Sequence, residues 1–343
     1  GGLAIYDPFS EAWQSEQHVE IEGTWAKPVF KKLPSENITA LAYGSDGILW
    51  IGTEPYYVWE KNQCTGEDCP LEAGYWVYAG GGLAATKDGA WQNWTTADSQ
   101  AGTCYRDHIR DLKADSSARM WVATSDGVMV MRNGLQRTGC EAQVRYGLSV
   151  RGGPGLRGRS TWSVDIDDEG LVWIANGQGR TSGYGVSVLE HNNSLDDWSS
   201  WDPDDLWEHI DLNGFPGPSE FVVTALDWIS PNRVLMGTQG LTNGDGDGIA
   251  VLDPSNMTWR QLRTSDNGLP SNQIVDVRSN PVSGDLWVTT VSRGVAVFDG
   301  SRWRNFRMFG AGPEVTRTTV AANKGVQGLP TELEDRAAFD VAF

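Results

Sequence analysis

One stretch near the end of the chain, Leu286-Trp287-Val288-Thr289-Thr290 followed by Gly294-Val295-Ala296-Val297, sets the pattern of the whole sequence. A short apolar segment, which in most copies holds a Trp, is followed by an apolar segment led by Gly. Related first halves begin at residues 48, 120, 171 and 234, and related second halves begin at residues 82, 127, 185 and 248. Regular self-similarity of this kind indicates a repeat architecture.

Each copy lies in a longer frame that predicts four strands. An alternating segment precedes it, as in Ile274 to Arg278, and a turn joins the two in the manner of a β-hairpin. A shorter segment with Trp follows the Gly-led one. Four short strands per repeat predict an all-β fold, a single β-propeller domain over residues 1–343. We expect whole blades at about residues 37–96, 107–140, 160–201, 220–262 and 272–308.

The two ends of the chain have the pattern of one more blade. Residues 1–14 are typical of third and fourth strands, and residues 338–343 are typical of a first strand. Six blades are therefore predicted, one of them split between the termini, because a split blade closes the ring without leaving sheet edges exposed. No second strand of the repeat type follows the last strand. A seven-bladed ring and a part of a longer propeller chain therefore remain alternatives.

These residues resemble the two-component regulator propeller repeats. The resemblance is strongest from Asn267-Gly268-Leu269-Pro270 through the stretch quoted above to Trp303. It covers nearly the whole chain, although the second and fourth whole blades depart from it at their turns. The resemblance implies a propeller of the kind found in bacterial sensor ectodomains and other exported proteins, and therefore an extracytoplasmic location, periplasmic or extracellular. It implies no catalytic motif.

The charge of the chain limits its partners. The 27 Lys and Arg residues against 45 Asp and Glu residues give a formal net charge of -18, which argues against binding to nucleic acid or to an anionic membrane surface. No run of apolar residues reaches the roughly 18 that a spanning helix needs. We therefore expect no nucleic-acid partner and no direct membrane insertion of this segment.

The repeated Trp residues are interpreted as structural residues that fill the space between neighbouring blades. Functional residues are therefore expected in the segments where the blades differ. The first whole blade has an insertion from Glu54 to Ala79 between its second and third strands. Its aromatic residues are Tyr56, Tyr57, Trp59, Tyr75, Trp76 and Tyr78. Aromatic rings exposed on a loop are favoured contact groups, so this insertion is predicted to bind a partner. A self-packed unit held by a disulfide is the alternative.

The four cysteines allow three pairings. We predict the disulfides Cys64–Cys69 and Cys104–Cys140, since each pair is nearest in sequence. Disulfides would place the protein outside the cytoplasm.

A second insertion, from Arg132 to Arg159, reverses the sign of the local charge. Its residues Arg145, Arg151, Arg157 and Arg159 are predicted to capture an anionic ligand or an acidic partner through their guanidinium groups. The alternative is a loop that balances neighbouring carboxylates. The insertion is expected to follow the fourth strand of its blade, which would bring it to the same rim of the ring as the aromatic insertion.

Two acidic segments complete the set of insertions. Residues 202–209 have the pattern of a short capped helix, with Asp202 as cap and Pro203 at the first position. The Gly-rich segment with Asn243, Asp245 and Asp247 matches most of the oxygen-ligand pattern of calcium loops. It predicts a calcium site, with a Gly-rich hairpin turn as the alternative.

The sequence favours a binding function over a catalytic one. Its four His residues lie in no known catalytic string. The favoured interpretation is an exported, non-catalytic propeller, a sensor-type or scaffold module that binds a protein, a small molecule or a carbohydrate through insertions on one rim. The alternative is a carbohydrate-active lyase or hydrolase with its site at the central channel, which rests on fold analogy alone.

Overall fold

The computed structural model describes residues 3–7, 12–16, 21–24, 27–30, 32–61, 74–95, 108–131, 143–146, 155–156, 158, 160–176, 185–191, 206–210, 212, 221–240, 246–306, 317–321 and 337–342. In chain order the first strands are β1 (Leu3–Asp7), β2 (Ala12–Glu16), β3 (Ile21–Thr24), β4 (Lys27–Phe30), β5 (Ile38–Tyr43), β6 (Leu49–Thr53), β7 (Tyr56–Lys61), β8 (Gly74–Ala79), β9 (Gly82–Lys87) and β10 (Ala90–Trp94). They are followed by β11 (Ile109–Ala114), β12 (Met120–Thr124), β13 (Gly127–Met131), β14 (Gln143–Tyr146), β15 (Thr161–Ile166), β16 (Val172–Asn176), β17 (Gly185–Glu190) and β18 (Leu206–Ile210). The last elements are β19 (Phe221–Ile229), β20 (Arg233–Gly240), β21 (Ile249–Asp253), β22 (Thr258–Leu262), the one-turn helix α1 (Thr264–Asn267), β23 (Ile274–Ser279), β24 (Leu286–Thr290), β25 (Gly294–Phe298), β26 (Trp303–Phe306), β27 (Arg317–Ala321) and β28 (Ala337–Ala342).

Five antiparallel sheets of four strands each form the blades of a propeller, which confirms the predicted all-β class and blade type. Blade 1 has the order β5-β6-β9-β10, blade 2 has β11 to β14, blade 3 has β15 to β18, blade 4 has β19 to β22 and blade 5 has β23 to β26. The first strand of each blade contacts the first strand of the next, and β28 contacts both β23 and β5. Six strands therefore surround a central channel, and we call them the inner strands.

The prediction of six four-stranded blades is wrong for the described residues, which hold five. β1 pairs with β2, as third and fourth strands of a blade would, but neither pairs with β28. Instead β28 pairs in parallel with β27. β28 is therefore paired with a segment that lies outside the repeat pattern.

The repeated Trp residues fill the spaces between blades, as predicted. Trp50, Trp121 and Trp173 are 1%, 0% and 4% exposed. Each packs with apolar residues of the following inner strand: Trp50 with Ile109 of β11, for example, and Trp121 with Val164 of β15. Truncating a Trp in such a position costs about 3–5 kcal/mol, so these residues hold neighbouring blades together.

Each inner strand from β5 to β23 has an irregularity near its start, after its first residue or, in β19, after its third, where the register of its pairing shifts. The residue at this bulge reaches the next blade. Thr39 donates a hydrogen bond to the carbonyl of Ile109 at 2.6 Å, and Thr224 donates one to the carbonyl of Ile274 at 2.8 Å. Bulges of this kind redirect a side chain out of the regular ladder, and here they tie one blade to the next.

Two fourth strands lie later in the chain than the sequence predicted. The fourth strand of blade 2 is β14, within the segment interpreted as an Arg-rich insertion, and it pairs with β13. The fourth strand of blade 3 is β18, where a short helix was predicted over residues 202–209. The helix prediction is wrong for residues 206–209 because β17 has an outer edge that needs a partner, and pairing Val186 with Ile210 satisfies it.

Candidate functional site

The antiparallel order of the strands gives the propeller two distinct rims. Second strands end and third strands begin at one of them, which we call the insertion rim. First strands begin there as well. The turns between first and second strands lie on the opposite rim, where Tyr43 is 52% exposed.

The aromatic insertion is a hairpin that continues blade 1 beyond the insertion rim. β6 leads into β7, and β8 leads into β9, with Thr53 paired to Gly82 and Tyr56 paired to Ala79. Blade 2 has only a two-residue turn at the same place, between the paired residues Thr124 and Gly127. The six residues of each added strand extend the ribbon by about 20 Å.

The register of this hairpin sets out its aromatic residues in pairs. Trp59 is paired with Trp76 and Tyr57 with Tyr78, so these four residues occupy one face of the ribbon. The other face carries Tyr56 and Tyr75, together with two valines. Both faces of the ribbon are therefore rich in apolar residues.

The other predicted contact residues are only partly described. Arg145 lies on the outer strand β14, paired with Met129, and not in a connection between blades. Arg151, Arg157 and Arg159 lie outside the described residues, as do the four cysteines, so both predicted disulfides stay predictions.

Of the predicted calcium ligands, only Asp247 is described. It is fully buried, and its Oδ1 atom accepts a hydrogen bond from the guanidinium of Arg263 at 2.8 Å. Its backbone amide donates to the hydroxyl of Thr238 at 2.9 Å. Asp247 thus holds together the turn that joins β20 to β21. Asn243 and Asp245 lie outside the described residues, and the calcium site stays a prediction.

The structure reveals a charged network in the central channel that the sequence analysis missed. Asp111 of β11 is 4% exposed and accepts hydrogen bonds from Ser163 and from the backbone amide of Val164, both on β15. It also accepts one at 2.6 Å from Arg278 of β23. One carboxylate therefore links three blades.

The network continues through the next blades. Asp165 of β15 forms an ion pair with Lys113 of β11 and accepts a hydrogen bond from the backbone amide of Trp228 at 2.5 Å. Asp227 of β19 accepts one from the backbone amide of Ser279 at 2.8 Å. Burial lowers the pKa of Lys113, and so does the charge of Arg278, but the carboxylates of Asp165 and Asp227 together outweigh both effects, and the pKa is raised.

These contacts follow one structural rule. An inner strand has an unpaired edge facing the channel, and its amides need acceptors. Side chains of the preceding blade provide them: Asp111 for Val164, Asp165 for Trp228 and Asp227 for Ser279. The sequence carries a signal of this rule, since the first strands of blades 2 to 5 each hold an Asp among apolar residues. The amide that each Asp binds can be identified only from the order of the blades in the ring.

Comparisons with known proteins support the family and the fold. Residues 32–54 match the model of the two component regulator propeller family. Among solved structures, the chain is similar to the extracellular domain assigned to a hybrid two component system of B. thetaiotaomicron, with a TM-score of 0.53, 13% identity and coverage of 82% of this chain and 31% of that one. At this identity the likeness shows the fold, and the chain spans about a third of the length of that relative.

Two further similar structures have lower scores. One is PorZ, a surface component of the type-IX secretion system of Porphyromonas gingivalis, with a TM-score of 0.48, 15% identity and coverage of 78% of this chain and 33% of that one. The other is a gluconolactonase of Xanthomonas campestris, with a TM-score of 0.45, 12% identity and coverage of 80% and 75%. No curated protein sequence matches the chain significantly. In the described part of the chain, no helix has the length and hydropathy of a membrane span. The family match falls on the segment that leads into blade 1 and covers its first hairpin, so this chain carries a repeat of the two-component regulator propeller family.

Proposed function

We propose that this chain is a non-catalytic, extracytoplasmic propeller module that binds a protein partner through the hairpin of β7 and β8 on the insertion rim. The observation that carries this proposal is the register of the hairpin, which sets four aromatic residues on one face of a ribbon about 20 Å long. A two-stranded ribbon is marginally stable by itself in water, and one with apolar residues on both faces gains stability from covering them.

The extracytoplasmic location is supported by the fold and the family repeat. The similar structure from B. thetaiotaomicron is an extracellular domain. The predicted disulfides agree with the same location. The Arg-rich segment would add anion capture on this rim, since β14 ends and β15 begins there and Arg151, Arg157 and Arg159 lie in the segment between them.

A lyase or hydrolase site in the channel is the alternative function. It is favoured by one observation, the Asp227 carboxyl, whose pKa is raised to about 7 by burial and by the neighbouring Asp165 carboxylate. General acids in glycosidases have raised pKa values of this kind. However, Arg278 extends across the channel at this level and engages Asp111. The carboxylates of the channel bind the protein's own amides and cations, so the binding function is the better supported one.

A photo-crosslinking experiment tests the proposal. A benzophenone amino acid replaces Trp59 in cells that produce the protein, and covalent products are identified by mass spectrometry after irradiation. The matched control carries the same group in place of Tyr43, an exposed aromatic residue on the opposite rim. We expect one protein to be captured from position 59 and not from position 43. Equal capture from both positions would contradict the proposal, and a glycan product would change the class of partner.

Affinity for the captured protein then tests the hairpin itself. Trp59→Ala with Trp76→Ala should weaken binding by about 30-fold or more, as the loss of a hot spot of about 2 kcal/mol does. A second variant replaces residues 54–81 by Ser-Asp, the two-residue turn of blade 2. It should bind no partner while retaining the melting profile of the propeller. Unchanged affinity in both variants would move the binding surface away from the hairpin.

A further inference from the structure

The inner strands of blades 2 to 5 hold more carboxyl groups than cations. Within the described residues of these strands, the carboxyls are those of Asp111, Asp165, Asp227 and Asp276, and the side-chain cations at the network are Lys113 and Arg278. All four carboxyl residues are buried, with exposed fractions between 1% and 6%. Because an uncompensated charge is costly to bury, the network needs either a proton or a shared cation.

Arg278 is the shared cation, and it extends across the channel. Its guanidinium donates to Asp111 of blade 2 at 2.6 Å and to the carbonyl of Leu226 of blade 4 at 2.9 Å. Its Nε atom lies 3.5 Å from Asp276 on its own strand. Blades 2 and 5 are not neighbours in the ring, since blades 3 and 4 separate them on one side and β28 and blade 1 on the other. The contact between Arg278 and Asp111 is therefore a strut between opposite walls.

Asp227 is the carboxyl that lacks a cation of its own. It is 4% exposed, its Oδ2 atom accepts the amide of Ser279, and its Oδ1 atom has no hydrogen bond within the described part of the chain. The charged groups that act on it are Asp165 from β15, Lys113 from β11 and Arg278 from β23. Lys113 is already paired with Asp165.

Two arrangements of Arg278 follow from this geometry. In the structure it holds Asp111 and the carbonyl of residue 226, directly beside Asp227 in the chain. A movement of the guanidinium toward Asp227 would compensate the charge of that carboxylate and would lengthen the contact across the channel to Asp111. We propose that Asp227 is a proton-operated latch: while it holds a proton, Arg278 spans the channel to Asp111, and when it releases that proton to solvent, it draws Arg278 away and the strut opens.

The titration range of Asp227 makes this latch responsive near neutral pH. Burial, and then the Asp165 carboxylate, raise its pKa from the usual value of about 4 to about 7. The folded protein therefore binds a proton that the unfolded chain has lost above about pH 4. The contribution of this proton to stability is complete below that pH and disappears as the pH rises through 7. The latch is closed in mildly acid conditions and open in alkaline ones.

Hydrogen exchange on the whole chain tests the latch. After correction for intrinsic exchange, we expect the protection of peptides from β11 and β15, which hold the Asp111 contacts, to fall by about tenfold or more between about pH 5.5 and 8.5. In Asp227→Asn, whose amide stands in for the protonated carboxyl, protection should change by less than about threefold. The matched control is Asp168→Asn, an exposed Asp on the turn after β15, which should behave like the unmodified chain.

A carbon NMR titration of the unmodified chain provides a second measurement that needs no variant. The side-chain carboxyl signal of Asp227 should move with a midpoint near pH 7. A midpoint below about 5 would overturn the proposal, as would equal pH dependence of exchange in the unmodified chain and in Asp227→Asn. Any other group that titrates in this range is present in both proteins, so its contribution cancels in the comparison.

Discussion

A single carboxylate organises the turn between the first and second strands in two of the blades. In blade 3 the Oδ1 atom of Asp167 accepts the backbone amides of Glu169 and Leu171, and its Oδ2 atom accepts the indole N–H of Trp173 at 2.9 Å. Asp115 does the same in blade 2, with the indole of Trp121 at 3.1 Å. The turn therefore fixes the orientation of the Trp that packs between the blades. The turn Asp and the repeat Trp therefore form one structural unit.

The same turns predict a stabilising substitution. Ala118 in blade 2 has a φ of 60°, at the position where blade 3 has Gly170 with a φ of 88°. A residue with a Cβ atom is strained in this conformation by roughly 1–2 kcal/mol. Gly relieves this strain, but part of the gain is lost because Gly has a greater backbone entropy in the unfolded chain. We expect Ala118→Gly to raise the free energy of unfolding by about 0.5–1 kcal/mol, measured by urea denaturation.

The reciprocal change is the control for this prediction. A Cβ at Gly170 would meet no atom within 4 Å, so Gly170→Ala introduces backbone strain without a clash. It should lower the free energy of unfolding by about 1 kcal/mol. A destabilised Ala118→Gly variant would show that the Ala side chain has a packing role that outweighs its backbone strain.

Individual residues were predictable to the extent that their role is local. The buried repeat Trp residues and the glycines with positive φ in the turns follow from patterns of a few residues. The channel network does not, because the Arg278–Asp111 contact joins residues 167 apart in sequence across the ring. Polar residues inside an apolar strand signal that some partner exists, but only the ring geometry identifies it.

At the scale of elements, the need for ladder partners outweighs local sequence signals. The Asp-Pro pattern at residues 202–203 is a good helix start, yet Leu206–Ile210 forms a strand because the edge of β17 requires one. The aromatic insertion likewise continues two strands of its blade. Its existence and residues were predictable from sequence, whereas the register that places Trp59 opposite Trp76 was not, since no turn signal fixes it.

The predicted calcium site lies in the connection between β20 and β21. If Asn243 and Asp245 supply oxygen ligands there, adding a chelator should lower the melting temperature, because a ligand bound only to the folded state stabilises it by an amount that grows with the free ligand concentration relative to Kd. Asp245→Ala should abolish that response. Differential scanning calorimetry with chelator and with excess calcium provides the measurement.

Asp247→Ala cannot serve as a test of calcium binding. It is paired with Arg263 and fully buried, so Asp247→Ala would destabilise the turn with or without the metal. Identical melting curves of the unmodified chain with chelator and with calcium would exclude a calcium contribution, and the segment would then be the Gly-rich turn of the alternative interpretation.

At the scale of the whole molecule, the ring is joined in two different ways. Blades 1 and 2 meet mainly through an apolar cluster that includes Trp50 and Ile109. Blades 2 to 5 are joined in addition by the carboxylates of the channel, each of which accepts amides of the following inner strand. Asp111 is the centre of this second system, since it alone among these acceptors also binds the strut from the opposite wall.

Asp111 should therefore contribute far more to the free energy of unfolding than an exposed carboxylate does. Asp111→Ala leaves the amide of Val164 without its acceptor and removes the partner of Arg278 on the opposite wall, and removing one member of a buried ion pair costs about 3–5 kcal/mol. We expect a loss of that size in urea denaturation, against a change within about 0.5 kcal/mol for the exposed Asp168→Ala. Arg278→Met should cost less in the Asp111→Ala background than in the unmodified chain, because the contact across the channel is already absent there. A double-mutant cycle with a coupling energy of about 2 kcal/mol would measure the strut directly. Strictly additive losses would instead mean that Arg278 and Asp111 stabilise their own blades separately, and that the channel is not braced from wall to wall.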